Sequence, residues 1–266
     1  YVQWMLAGSP LLFVYIIYTS ILRGVGDSLT PLIALSLTSL MGVVITPVLI
    51  AGYFGFPRLG IIAPAIATIL GYLAVLIFLV IYLNKKDHPL KLDWHLFRQI
   101  RHQPHLSKVI LRLGIPTGLQ MVTTSMAGLV IVGLVNRHGA EATAAYGAVN
   151  QVLNYIQFPA LSIAIAASIF AAQAIGAGKA ELLAKVTRTA LGMNLVITGI
   201  LVSLGYLFSK YLMALFITDP AVVVLGQQLL FIVLWAIVFF GASAIFASIM
   251  RASGTVTVPM IINILA

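Results

Sequence analysis

Seven stretches of this chain are each apolar for about twenty residues or more, with no charge near their centres. About 20 such residues in a helix cross the hydrocarbon core of a bilayer. The runs fall at roughly 1–22, 31–53, 61–84, 109–136, 142–174, 186–208 and 221–250, and an eighth begins near Val256. Turn residues separate them, as in Gly24-Val25-Gly26-Asp27, Gly55-Phe56-Pro57 and Thr218-Asp219-Pro220. Barrel strands would be about ten residues long with alternating polarity. These runs are twice that length and do not alternate, so the spans are helices. The rest of the composition agrees: only 8% of residues are charged, against about 25% in a soluble domain. Too few charges remain to cover a globule of 266 residues. The first run is already apolar at Tyr1 and the last stops about a dozen residues in, so the chain is expected to be a piece of a longer protein.

A net charge of +9 in a soluble protein would suggest nucleic acid or an acidic partner. Here the bases lie between the apolar runs and read as topology signals. Counting alternate loops puts twelve Lys and Arg on one side, among them Arg23, Arg251 and seven between Lys85 and Arg112. The other side holds three, Arg58, Arg137 and Lys210. The positive-inside rule places the first set in the cytoplasm, so a multi-pass protein of the inner or plasma membrane is expected. The basic loop 85–108 then becomes a cytoplasmic linker, lying as a helix near anionic headgroups. His88, His95, His102 and His105 lie in it, but their spacing contains no HxxxH or HExxH pair and the chain has no cysteine. No metal site is expected.

Shifting the sequence by 228 residues overlays the first run on the seventh. Ile17, Ser20, Ile21, Arg23, Gly26, Pro31 and Ile33 match Ile245, Ser248, Ile249, Arg251, Gly254, Pro259 and Ile261. Seven identities in seventeen positions, with Arg, Gly and Pro in register, are more than two greasy helices share by chance. Six spans separate the copies, and an even number preserves orientation. The repeat is therefore parallel, about an axis along the membrane normal. The fold class expected is an all-α polytopic membrane protein of two parallel six-helix lobes. Residues 1–84 would be the last three spans of the first lobe, 85–108 the linker, and 109–266 most of the second lobe.

Five motifs in order then resemble the multidrug and toxic compound extrusion (MATE) family. They are Leu22-Arg23-Gly24-Val25-Gly26-Asp27 with Thr30-Pro31; Leu113-Gly114-Ile115-Pro116; Gly139 with Ala144-Ala145-Tyr146; Gln173-Ala174-Ile175-Gly176-Ala177-Gly178; and Phe216-Ile217-Thr218-Asp219-Pro220. The resemblance covers the whole chain as family spans four to eleven. It implies a V-shaped pair of lobes around a central cavity. It also implies export of drugs, xenobiotics or organic cations in exchange for Na⁺ or H⁺, with no other cofactor. Some members carry a glutamate about eight residues after the seventh-span proline; counting from Pro116 lands on Thr124. Cation coordination by charge is not expected there, and a coupling acid is expected in the first three family spans, which this chain lacks. Without them the piece is not expected to fold alone.

The six acids, Asp27, Asp87, Asp93, Glu141, Glu181 and Asp219, all fall in loops or at span edges. Neutral polar groups are what the spans offer. Tyr146, Asn150, Asn154 and Gln157 lie within an arc of about 80° on one helical face, and Pro159 beyond them is expected to kink that helix. Thr117, Gln120 and Thr124 form a similar stripe in the fourth run. Such stripes either hold helices together by interhelical hydrogen bonds or line a wet cavity for an amphiphilic substrate. Arg23 and Arg251, at matching span ends, either compensate helix C-terminal charge or gate the two lobes. Gly176-Ala177-Gly178-Lys179 fails the phosphate-loop pattern at Gln173 and Ala180, so its glycines are expected to end a helix and permit close packing.

A lipid-linked oligosaccharide flippase is the alternative within transporters. It would want bases inside the spans to grip pyrophosphate, and none lies near a span centre. A membrane-embedded enzyme would need a catalytic constellation at bilayer depth; no Asp, Glu, His or Cys lies inside a span, and no enzyme is expected. The partners expected are a small-molecule substrate and the bilayer, with no nucleic acid, and the protein is expected to be monomeric.

Overall fold

The computed structural model describes residues 2–53, 58–86, 90 and 104–265. All regular structure among the described residues is helical: α1 Val2–Gly24, α2 Leu29–Ala51, α3 Ala63–Lys85, α4 Pro104–Asn136, α5 Ala140–Gly176, α6 Leu182–Leu207, α7 Ser209–Ala214, α8 Pro220–Ala252 and α9 Thr257–Leu265. A 3-10 turn, Gly60–Ile62, leads into α3. Seven of these helices are long and apolar enough to cross a membrane, in the order the seven apolar runs predict. At 1.5 Å per residue the shortest, 23 residues, spans about 35 Å, enough for a core of about 30 Å.

Most boundaries agree with the sequence reading to within two residues, and two starts differ by more. Helix α4 starts at Pro104 rather than 109, α6 at Leu182 rather than 186, and α3 runs through Lys85. Hydropathy ends a run at its first charge, whereas Lys, Arg and Glu are good helix formers and carry the helix past the membrane edge. The linker read as 85–108 is correspondingly narrower. Most of it, including His88, His95, His102, Asp87 and Asp93, lies outside the described residues. Helix α7 is an addition; residues 209–214 read only as connection.

The chain divides into two compact units, Tyr1–His102 and Gln103–Ala266. In the first, α3 packs on both α1 and α2. Val75, Leu79 and Leu83 form an i, i+4 ridge that meets Tyr15, Tyr18, Leu22 and Ala34. Tyr15 and Tyr72 stack edge-tilted at 5.3 Å. The Tyr18 hydroxyl donates to the Leu90 carbonyl at 2.8 Å, tying one linker residue to α1. Beyond α3, the Lys86 ammonium lies 4.8 Å from the Tyr82 ring centroid. Hydrogen bonding to Tyr82, then electrostatic interaction with that side chain and more weakly with Asp27, raise its pKa above the ordinary lysine value.

In the second unit α5, α6 and α8 form the core. Each of the three packs against the other two. Helix α5 presents a column of small residues, Ala160, Ala164, Ala167, Ala171 and Ala174, all buried. Lipid tails are as apolar as leucine, so close approach through small side chains drives such packing. Large apolar groups face outward instead, among them Leu129, Ile232 and Phe239, each more than 70% exposed. Helix α7 is anchored by Met213, fully buried against Gly226 of α8, and by a 3.1 Å hydrogen bond from Gln227 to Ser209. Helix α4 buries no residue; its larger contact is with α9 and its smaller one with α5.

The repeat is visible in the backbone. Helix α1 ends at Gly24 and α8 at Ala252; α2 starts at Leu29 and α9 at Thr257. Both boundaries are displaced by the same 228 residues. Each junction is closed by the same pair of hydrogen bonds: Gly26 N to Arg23 O and Asp27 N to Leu22 O in one, Gly254 N to Arg251 O and Thr255 N to Met250 O in the other, all 2.9–3.0 Å. This is the Schellman arrangement. It demands a left-handed residue, and Gly26 and Gly254 supply it with φ of 93° and 84°.

Candidate functional site

Acids at bilayer depth are costly to bury and mark functional pathways in membrane proteins. Every described acid sits at a helix N-terminus. Asp27 accepts from the Thr30 amide at 3.0 Å and from its hydroxyl at 2.6 Å, just ahead of α2. Glu141 lies in the first turn of α5, Glu181 is the N-cap of α6, and Asp219 caps α8 by accepting from the Ala221 amide at 2.9 Å. Negative charge is stabilised at that end of a helix dipole, which accounts for all four without a transport role. No carboxylate lies at mid-span among the described residues.

The neutral stripes are both in the second unit. On α5 the core-facing positions include Ala145, Val149, Val152, Ile156 and Ala160. Tyr146, Asn150 and Gln157 lie half-buried on the flank of that face, and Asn154 is exposed. The Asn150 amide donates to the Tyr146 carbonyl at 3.1 Å, so this bond stays within its own helix. Helix α5 runs unbroken through Pro159, which is half-buried; the position removes one donor from the ladder. On α4, Gln120 is half-buried and Thr124 exposed. Thr124 and Thr117 each donate to the carbonyl four residues back, at 3.0 and 2.8 Å.

Arg23 and Arg251 occupy equivalent places in the repeat. Each guanidinium donates through Nη2 to the serine three residues earlier, Ser20 or Ser248, at 3.0 Å. Each stands in the last turn of its helix, where positive charge opposes the negative dipole end. At the end of α5, Gly178 closes a third Schellman turn, with φ of 72° and bonds from Gly178 N to Ile175 O and Lys179 N to Ala174 O. The helix-ending role expected of these glycines is thus present. The close-packing role is not, since a Cβ at Gly176 or Gly178 would meet open space.

Two features escaped the sequence reading. Asn194 and Thr198, one turn apart near the middle of α6, are buried, with Thr198 donating to Asn194 Oδ1 at 3.1 Å. Gly241 of α8 lies against them, and a Cβ there would collide with the Asn194 amide. The i, i+4 polar pair was visible in the sixth run, but its glycine partner stands 47 residues on and cannot be found by spacing. The second feature is a set of grooves. One of about 400 Å³ between α5 and α6 is lined by Ile163, Ala166, Phe170, Lys185, Val186 and Met193. Another of about 360 Å³ lies toward the opposite end of the same pair, beside Tyr155, Leu204 and Phe208. The widest, about 720 Å³, lies between the start of α5 and the α7–α8 connection, beside Glu141, Gln151 and Asp219. None of the three is lined by the stripe residues Gln120, Thr124, Tyr146, Asn150, Asn154 or Gln157.

Long apolar helices, uncharged at mid-span among the described residues, define a multi-pass helical membrane protein. The MatE family model matches residues 116–266, more than half of the chain, and the chain belongs to that family. It is 41% identical over its whole length to a probable multidrug resistance protein, YoeA, of Bacillus subtilis (strain 168), and 31% identical to another, YpnP, of the same organism. It spans 58% of the length of each. The fold matches a solved outward-facing multidrug resistance MATE family transporter of the MOP superfamily with a TM-score of 0.89 and 22% identity, over 99% of this chain and 58% of that one.

Proposed function

We propose that the whole protein is a secondary active exporter that moves drugs, xenobiotics or organic cations out of the cell in exchange for Na⁺ or H⁺. Family membership carries this reading, and the chemistry of the spans supports it. A polar but uncharged stripe on the flank of α5, from Tyr146 to Gln157, suits the wall of a cavity for amphiphilic compounds. It would hold them by amide and hydroxyl contacts, without the desolvation cost of a buried charge. The described acids stand at helix ends, so ion coupling in this reading belongs to residues other than these. A flippase for lipid-linked sugars is not favoured: the described bases of the spans avoid the helix middles, with Arg23, Lys85 and Arg251 in last turns and Arg112, Lys185 and Arg188 in the first third of their helices. The basic side of the chain, with its linker, is the cytoplasmic side in this reading, and the membrane is the plasma or inner membrane.

The test is ethidium retention in pump-deficient bacteria expressing the full-length protein, with and without collapse of the Na⁺ and H⁺ gradients. Gradient-dependent loss of dye is the expected result, and the gradient required identifies the ion. Full retention, with the protein confirmed in the membrane, would remove multidrug efflux of this kind as its activity.

A further inference from the structure

We infer that the groove between the end of α5 and the start of α6 is a binding site for an anionic phospholipid. One acyl chain lies along Ile163, Ala166, Phe170 and Met193, and the headgroup phosphate rests against Lys185. The groove holds about 400 Å³, and its wall is apolar apart from Lys185 and Thr189. From Lys185 to Met193 is eight residues, so the slot runs about 12 Å along α6, a length suited to part of an extended hydrocarbon chain. The cation stands at one end of the slot, not at its middle. Its aliphatic stem can follow the apolar wall while the ammonium reaches the interface.

The surrounding charge is complementary to a phosphate. Lys179, Lys185 and Arg188 cluster about the α5–α6 turn, opposed there by Glu181 alone. No ion pair occupies Lys185 among the described residues. Basic pockets between spanning helices on the positive side of a membrane protein are the places where anionic headgroups bind. The same helix pair also contains its own control. The groove toward the other end, beside Tyr155, Leu204 and Phe208, is of similar volume but has no charged residue in its wall. It is able to take a hydrocarbon chain but not to select a headgroup.

The experiment is native mass spectrometry of the delipidated full-length protein, titrated with phosphatidylglycerol or phosphatidylcholine in detergent. The wild type is expected to retain phosphatidylglycerol about fivefold over phosphatidylcholine, the contribution of one lysine at an anionic surface. Lys185→Gln should bring that ratio close to one without changing the unfolding temperature, since the side chain is exposed. Ala166→Trp, also at an exposed position, should reduce retention of both lipids by filling the slot. Equal retention of the two lipids by the wild type would overturn the inference, as would an unchanged ratio in Lys185→Gln. Displacement of bound phosphatidylglycerol by ethidium at one-to-one stoichiometry would assign the groove to the transported compound instead, and would also overturn it.

Discussion

The contact between Gly241 and Asn194 shows how one missing methyl group can set the distance between two membrane helices. In lipid there is no hydrophobic gain in bringing helices together, so close approach and buried hydrogen bonds carry the association. Asn194 is 2% exposed and Thr198 fully buried; their mutual bond satisfies part of the amide, and Gly241 provides the space for the rest. Gly241→Ala should therefore destabilise the full-length protein by about 1–3 kcal/mol, the usual range for overpacking. The check is its unfolding midpoint in detergent. Asn194→Ala should also be destabilising, since it strips Thr198 of its acceptor, but the two losses should fall short of additivity by at least ~0.5 kcal/mol. Simple additivity would mean that the side chain and the glycine do not meet. At this scale the sequence told half of the story. Long apolar runs and turn residues such as Thr218-Asp219-Pro220 are local signals and were legible, whereas a glycine notch opposite a polar residue is a property of two distant segments.

Among elements, α5 is the one whose role is divided. Its buried face changes from Val149, Val152 and Ile156 to a column of alanines beyond Ala160, and its polar stripe lies on the flank of the first part, where it can serve either a cavity or a neighbouring helix. The Asn150 bond to Tyr146 stays within the helix, which argues against interhelical glue at that position. Asn154→Leu discriminates the two roles. If the stripe lines the transport cavity, the substitution should lower ethidium efflux by about two- to tenfold, the range for one lost hydrogen bond, with the unfolding midpoint little changed. If the stripe holds helices together, stability should drop by roughly 0.6 kcal/mol while efflux at equal abundance stays constant. Number, order and type of the spanning helices were legible because each run is twenty residues of one character. Helix α7 was not, because six residues carry no period that distinguishes a turn of helix from a connection. Its position depends on Met213 finding Gly226 in the next helix, which is tertiary information.

For the whole molecule the strongest regularity is the 228-residue displacement. It was readable from seven identities, and it reappears as equal helix boundaries, equal Schellman bonds and equal Arg–Ser pairs. A repeat that carries an arginine at the same end of both copies also repeats a topology signal, because bases at span ends bias the orientation of insertion. Of the twelve Lys and Arg on the basic side, these two arginines are the repeated pair, seven lie between Lys85 and Arg112, and Lys179, Lys185 and Arg188 lie about the α5–α6 turn, so every alternate connection carries the same sign. Cysteine labelling measures the consequence. This chain contains no cysteine, so His138→Cys and Ala180→Cys can be introduced singly into an otherwise cysteine-free full-length protein. Only α5 separates the two positions. A membrane-impermeant thiol reagent added to intact cells should label position 138 and spare 180, and permeabilisation should expose 180. The opposite pattern would invert the protein and put its basic loops outside. Equal labelling of both would be the more serious result, since it would mean that α5 does not cross the membrane and that its alanine face packs in some other setting than a spanning bundle.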